Sequence, residues 1–329
     1  MTAVGPRAGG GAAEGTAREA TDLVCPDCRE ALCRDGDLLR CAACGAAFPV
    51  DGGIADFSGG SYYDDFPGPE SLTPEHLQGL RHEEAGARSR IEDFYLPLIS
   101  PRRGSAPLRV LDSGCGNGLS VDLLNEAGCR AWGNDVSRLR KWQWRERASR
   151  HRLVVADSRK LPFADGSFDA VLSSGVLEHV GVEEEGGGAY RVRPLPGRDA
   201  ERRAFLAELL RLLGPGGELY LDFPNGAFPI DFWHGTKPGG ARFHRRSEGF
   251  LPTVKEVRGH LRALGDYRLA AISPHRRLRM RQVGRHWYGR WLRWPMTALL
   301  RLSTFPPFRF LAASPLNPYL VLRVRRSSC

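Results

Sequence analysis

Val110-Leu111-Asp112-Ser113-Gly114-Cys115-Gly116-Asn117-Gly118 is the stretch on which the reading of this chain turns. A short apolar run ends in an acid, three glycines follow at alternating positions, and a helical pattern begins at once. Glycine lets the backbone turn sharply and approach a ligand that any Cβ would exclude. The stretch reads as a nucleotide-binding strand-to-helix turn, but not as the dinucleotide fingerprint. G-x-G-x-G stands in place of G-x-G-x-x-G, and Asp112 repels a pyrophosphate while suiting a cationic ammonium. The expected ligand is a positively charged nucleoside.

Two further acids extend the pattern. Asp135 closes the next strand-like run, Ala131-Trp132-Gly133-Asn134-Asp135, where a carboxylate accepts both ribose hydroxyls. Asp157 closes a third, Val154-Val155-Ala156-Asp157-Ser158, within reach of an adenine amine. Strand-like and helix-like segments alternate around them, as in a parallel sheet covered by helices on both faces. The expected strands are Arg109–Asp112, Arg130–Asn134, Leu153–Ala156, Phe168–Ser173, Glu218–Phe223, Leu269–Ile272 and Tyr319–Val324. The expected helices are Gly118–Ala127, Arg138–Ser149, Ala200–Leu213 and Thr253–Leu264, after a helical pattern over Pro74–Ile99. The fold class is α/β: a Rossmann-like, doubly wound, seven-stranded sheet with an N-terminal zinc ribbon and a basic helical C-terminal insertion. Ligands of open α/β sheets bind beyond the carboxyl ends of the strands, so the long intervals Gly181–Asp199 and Asn225–Pro252 lie where a substrate sits.

Asp112–Gly118, Asp135, the run Ala156-Asp157-Ser158-Arg159-Lys160-Leu161-Pro162-Phe163-Ala164-Asp165-Gly166-Ser167-Phe168-Asp169, and Leu177-Glu178-His179-Val180 together resemble the class I S-adenosylmethionine (SAM)-dependent methyltransferases. The branch with the ubiquinone and menaquinone biosynthesis enzymes is the nearest in pattern, and Gly214-Pro215-Gly216-Gly217-Glu218-Leu219 resembles its turn into the fifth strand. The resemblance covers about Leu108 to Phe223. It implies that Asp112, Gly114, Gly116 and Gly118 line the methionine part of SAM, and that Asp135 binds the ribose. It also implies that Val136, Asp157 and Ser158 flank the adenine and that Ser174 sits beside the cofactor.

Methyl transfer from a sulfonium releases a neutral leaving group, so holding the acceptor in line supplies most of the rate. A hydroxyl acceptor gains further from a general base, and histidine suits neutral pH. His179 follows the fourth strand. Asp231, Trp233, His234, Arg242 and His244 crowd a glycine-rich interval with the composition of a lid. His234, His179 and Asp231 are the candidate catalytic residues. No Asn/Asp-Pro-Pro-Phe/Tyr tetrapeptide and no Pro-Cys nucleophile follows the fourth strand, which sets aside planar amines and pyrimidine C5 as acceptors.

Cys25-Pro26-Asp27-Cys28, twelve residues, then Cys41-Ala42-Ala43-Cys44 has the two-knuckle spacing of a closed, structural Zn²⁺ site. Phe48-Pro49-Val50-Asp51-Gly52-Gly53-Ile54 resembles the ribbon of the small zinc-binding activator subunit of translation-linked methyltransferases. It is similar also to the ribbon opening a bacterial 23S ribosomal RNA guanine methyltransferase, whose fourth ligand is His where Cys44 stands here. The organisation expected is a disordered leader over 1–21, a ribbon over 22–58 and a methyltransferase domain over 74–329. That domain divides into a core at 108–275, a basic aromatic segment at 276–318 and a last strand at 319–325.

The 329-residue chain carries a net charge of +9, and its basicity is local. Residues 276–329 hold twelve arginines and no Asp, Glu or Lys, interleaved with Trp287, Tyr288, Trp291, Trp294, Phe305, Phe308 and Phe310. Such a segment suits an anionic membrane surface, phosphates of a lipid- or nucleotide-linked substrate, or RNA; equally, it suits a helical pair packing its aromatics on the sheet. Ser314–Leu322 resembles tails of methyltransferases of glycan and glycolipid assembly. No spanning-length apolar run and no signal-type start is present, so the expected location is cytoplasmic, with peripheral contact at the inner membrane face. The function expected is methyl transfer to oxygen of a small or lipid/glycan-linked metabolite. RNA methylation gripped by ribbon and tail, and a non-catalytic zinc-ribbon adaptor, are the competing readings.

Overall fold

The runs Val110–Leu111, Leu153–Val155, Val171–Leu172 and Leu219–Leu221 are buried throughout, as strands covered on both faces of a parallel sheet must be. The fold is a computed structural model that describes residues 19–100, 106–185, 191–234, 241–278 and 287–327. Its first five strands are β1 (Glu19–Val24), β2 (Ala31–Asp35), β3 (Leu38–Cys41), β4 (Ala47–Asp51) and β5 (Ile54–Asp56). Helix α1 (Pro74–Ser89) is opened by the Thr73 side chain, which accepts from the His76 N–H. It runs through a π-helical turn (Arg90–Tyr95) into α2 (Leu96–Ile99). The alternation then follows: β6 (Arg109–Ser113), α3 (Leu119–Glu126), β7 (Arg130–Asp135), α4 (Arg138–Trp144), β8 (Leu153–Val155) and β9 (Phe168–Ser174). Next come the hairpin β10 (Val182–Glu185) and β11 (Arg191–Pro194), α5 (Arg198–Arg211), β12 (Leu213–Pro224), and the short pair β13 (Ile230–Asp231) and β14 (Arg242–Phe243). The last elements are α6 (Val254–Leu264), β15 (Tyr267–Ile272), α7 (Trp287–Leu302) and β16 (Tyr319–Arg326).

All seven expected strands form, in the order β8-β7-β6-β9-β12-β16-β15. β16 is antiparallel to both neighbours, and β8, β7, β6, β9 and β12 pair in parallel. This is a Rossmann-like, doubly wound sheet. The Cys-rich ribbon is continuous with it: β5 pairs in parallel with β8 through Ala55↔Val154 and Asp56↔Val155, making one sheet of twelve strands. The ribbon is held further by Val24 N–H donating to the Pro162 carbonyl at 3.0 Å, by Arg29 donating to the Leu161 carbonyl at 2.7 Å, and by the Lys141–Asp56 ion pair at 2.8 Å. β8 is a short edge strand whose open backbone groups the ribbon satisfies.

The structure departs from expectation at two places. Of the leader expected over 1–21, residues 1–18 lie outside the described residues, and Glu19–Thr21 already belong to β1, so the ribbon starts before residue 22. The helix expected over Arg138–Ser149 ends at Trp144, whose buried ring anchors it. Each of the two long intervals contains a short hairpin, β10–β11 and β13–β14.

Candidate active site

Asp112, Asp135 and Asp157 stand at the carboxyl ends of three adjacent strands. The register pairs Asp112 with Gly133 and Asp135 with Val155. Between them Gly114, Gly116 and Gly118 adopt φ of 76°, 57° and 77°, left-handed values that favour glycine. A Cβ at Gly114 would lie 2.2 Å from Val176 Cγ2, and one at Gly118 2.8 Å from Leu153 Cδ1. The turn thus excludes side chains by space as well as by conformation. Gly116 N–H donates to Asp135 Oδ2 at 3.0 Å, while Asp135 Oδ1 accepts from Val136 and Ser137 N–H at 2.8 and 3.2 Å. Burial raises the Asp135 pKa against the opposing pull of Arg140 and these backbone bonds.

The three carboxylates, expected to grip one ligand, have different hydrogen-bond partners in the structure. Asp112 is fully buried and is met by Arg90 at 2.8 Å and by the Ser120 hydroxyl at 2.5 Å. Its charge therefore fixes the π-helical turn against β6 and α3. Asp157 pairs instead with Arg159, two residues on, and accepts its N–H at 2.8 Å. Of the three acids, Asp135 is the one that hydrogen-bonds the glycine turn among the described residues. Ser158 ties the strand ends together through Ser113 Oγ at 2.9 Å and Asn134 Nδ2 at 3.0 Å. Buried Asn134 Oδ1 and Ser173 Oγ have no partner among the described residues, so polar capacity remains at the ends of β7 and β9. A cradle that Cβ atoms would fill, bordered by spare polar atoms, fits a nucleoside cofactor.

Next to this edge, elements distant in sequence assemble a second cluster. Glu178 and His179 lie in the turn after β9, Glu184 comes from β10, and Asp231 and His234 from the β13 region. His179 Nδ1 bonds Glu184, which also accepts from the Tyr63 hydroxyl at 2.9 Å. His234 Nδ1 lies 3.0 Å from Asp231 Oδ2. Asp231 accepts further from Trp233 and His234 N–H at 3.0 and 3.1 Å and from Arg242 Nε at 3.2 Å. Although burial opposes it, the His234 bond lowers the Asp231 pKa to about 2. The His179 and His234 rings meet edge to face, with centroids 5.3 Å apart, and Phe250 packs on both. Burial lowers the His179 pKa, but the Glu184 bond and the nearby carboxylates outweigh it and the net shift is upward. All three candidate catalytic residues are thus brought together.

Sequence reasoning missed a buried network beside them. Arg277 Nη2 donates to Asp222 Oδ1 at 3.0 Å and to Ser174 Oγ at 2.8 Å, while the Tyr95 and Tyr319 hydroxyls donate to the same Asp222 carboxylate. Ser174 itself donates to Asp222 at 2.6 Å. Asp222 near the end of β12 repeats the strand-terminal-acid signal of Asp112, and that signal was available in the sequence.

In the ribbon, Cys25, Cys28, Cys41 and Cys44 bring their sulfurs within 4.8 Å of one another. The Cys41 thiol is lowered to about 7, chiefly by the backbone N–H of Cys44. Four sulfurs gathered this closely fit Zn²⁺.

Residues 111–221 match the methyltransferase-domain family. Residues 111–221 therefore form a methyltransferase domain. The chain is similar to the tRNA (carboxymethyluridine(34)-5-O)-methyltransferase of Xenopus tropicalis, with 31% identity over 47% of this chain and 19% of that protein. It is similar also to the demethylmenaquinone methyltransferase of Corynebacterium urealyticum, with 34% identity over 34% of this chain and 39% of that protein. The chain spans well under half the length of these curated relatives. A TehB-like SAM-dependent methyltransferase from Corynebacterium glutamicum superposes with a TM-score of 0.45 at 15% identity, covering 78% of this chain and 100% of that one.

Proposed function

We propose that this chain transfers a methyl group from SAM to an oxygen atom of a small, lipid-linked or glycan-linked metabolite. The observation that carries the reading is the left-handed glycine turn locked to Asp135 at the edge of β6 and β7. Asp112, Gly114, Gly116 and Gly118 border the methionine part, Asp112 acting through Arg90 and Ser120. Asp135 takes the ribose, Val136, Asp157 and Ser158 the adenine, and Ser174 lies next to the reacting end. SAM, when bound, supplies a methyl group on a sulfonium that leaves as a neutral thioether. The chain's own part is to hold the acceptor, exclude water and take its proton. His234 is the base, its ring fixed by Asp231, and His179 is fixed alongside it by Glu184.

An apolar cavity of about 480 Å³ supports a lipid-linked acceptor: Phe94, Leu98 and Ile272 line it together with Arg276, Arg309 and Arg323. Trp291, Trp294, Phe305, Phe308 and Phe310 of the same basic segment are exposed. Arginines and amphipathic aromatics at one surface suit peripheral docking on an anionic membrane, and no helix among the described residues is long and apolar enough to cross one. Arg279, Arg281 and Arg285 lie outside the described residues. The four ribbon cysteines hold one structural Zn²⁺ in this reading, and metal analysis of the purified chain returns one equivalent that is lost in Cys28→Ser.

Tritiated methyl transfer into fractionated small molecules, lipids and RNA tests the substrate class. Label in the lipid or small-molecule fraction is expected. Label confined to RNA supports the second reading, which the similarity to a tRNA methyltransferase favours, and affinity for RNA that falls steeply with salt accompanies it. A chain that fails to bind SAM supports the adaptor reading.

A further inference from the structure

We infer that Glu178, His179 and His234 form a binding site for a divalent first-row transition cation. One donor atom from each lies within 4.8 Å of the other two. Both imidazoles present Nδ1 to a carboxylate, His179 to Glu184 and His234 to Asp231. An Nδ1–H that donates to a carboxylate leaves the ring lone pair on Nε2, and metal-ligating histidines are held in this way. Glu178 is 1% exposed, and its Oε2 has no hydrogen-bond partner among the described residues. A buried carboxylate oxygen without a donor is costly, and a cation supplies what it lacks. Arg202 donates to the Glu178 backbone carbonyl at 3.1 Å, which fixes the turn without occupying the carboxylate.

Two imidazoles and one carboxylate suit Mn²⁺, Fe²⁺ or Co²⁺ and leave coordination positions open. The His179 side chain is 27% exposed, so those positions are accessible to an oxygen ligand such as a hydroxyl or carboxylate of the acceptor. The site is chemically distinct from the four-sulfur ribbon, whose coordination is closed. The other histidine-acid group, Asp199, Glu256 and His260, does not share these properties, because Arg202 at 2.5 Å and Arg198 at 3.7 Å already neutralise Glu256. The inference rests on the proposed methyl transfer and changes one role in it: with a cation bound, His234 is a ligand, and lowering of the acceptor's pKa by the cation replaces its action as base. Cation binding itself stands on the geometry alone.

The test is titration of the full-length chain, its ribbon loaded with zinc, with Mn²⁺ alone, read by loss of the free aqua-ion signal in electron paramagnetic resonance. One equivalent should bind. Glu178→Gln and His234→Gln should each weaken binding about tenfold or more, while His260→Gln leaves it unchanged. SAM calorimetry and urea unfolding on the same variants show that each is folded, and Asp231→Asn replaces any that is not. An undiminished Mn²⁺ signal with wild-type chain at millimolar metal, or folded Glu178→Gln and His234→Gln variants that bind Mn²⁺ as the wild type does, overturns the inference. Failure of SAM binding with Mn²⁺ binding intact would count against the methyltransferase reading and leave the cation site standing.

Discussion

The cofactor half and the acceptor half of the centre are built on opposite principles. In the first, Gly114 to Gly118 and Asp135 sit within one strand-helix-strand unit, and the groups that fix them are backbone N–H donors of that unit. In the second, Glu178, Glu184, Asp231, His234 and Arg277 arrive from the turn after β9, two inserted hairpins and the start of the basic segment, and the bonds between these elements are made by side chains. A site made of consecutive backbone is fixed by local geometry, so it serves a constant ligand. A site made of insertions changes when the insertions change, so it is where acceptor choice is set.

Several substitutions break or sharpen this contrast. The largest effect belongs to the acceptor half: His234→Ala should lower kcat by about 100-fold or more, the usual worth of a positioned proton acceptor. SAM affinity in calorimetry should stay within twofold of wild type, because no cofactor-half residue is touched. Asp112→Ala strands the Arg90 guanidinium, 8% exposed, without its counter-charge, and should cost about 3 kcal/mol or more in urea unfolding. Gly114→Ala forces a side chain against Val176 at a left-handed φ and should cost about 1–3 kcal/mol, with weakened SAM binding. Asp157→Ala breaks a pair whose side chains are 40% and 41% exposed and should change stability by less than about 1 kcal/mol.

The smallest effect is on pH dependence. Burial pushes the Asp222 pKa up, but Arg277, Arg90 and the Ser174 hydroxyl outweigh it, so the folded value lies below the ordinary carboxylate value. The stability Asp222 contributes is therefore fully present above about pH 4 and is lost as pH falls through the folded value. Wild-type chain should lose stability more steeply below about pH 4 than Asp222→Asn does, as read by urea midpoints across that range.

The same contrast explains what the sequence made legible. Each of the seven strands carries a short apolar stretch within a few consecutive residues, and the glycine turn is nine consecutive residues, so local pattern and spacing sufficed. The β5–β8 pairing joins backbones about a hundred residues apart and leaves no trace in side-chain pattern, which is why the ribbon read as a separate unit. Arg90 stood in a charged helical stretch that reads as a solvated face, although the π-helical turn rotates it inward to Asp112. His179, His234 and Asp231 were visible as chemistry-bearing types. Glu178 was not, because its role depends on being buried without a partner, and that is a property of packing alone. Arg277 was counted with the basic tail, yet it is turned into the centre against Asp222 while Trp291 and Trp294 stay outside.

The central claim is that Asp135 and the glycine turn hold SAM, and titration calorimetry of SAM into wild-type chain and Asp135→Ala tests it most directly. Stoichiometric binding by the wild type, weakened about 100-fold in the variant by loss of two charge-assisted hydrogen bonds, is the expected result. Equal affinity in a folded Asp135→Ala, or no binding by the wild type, would contradict it.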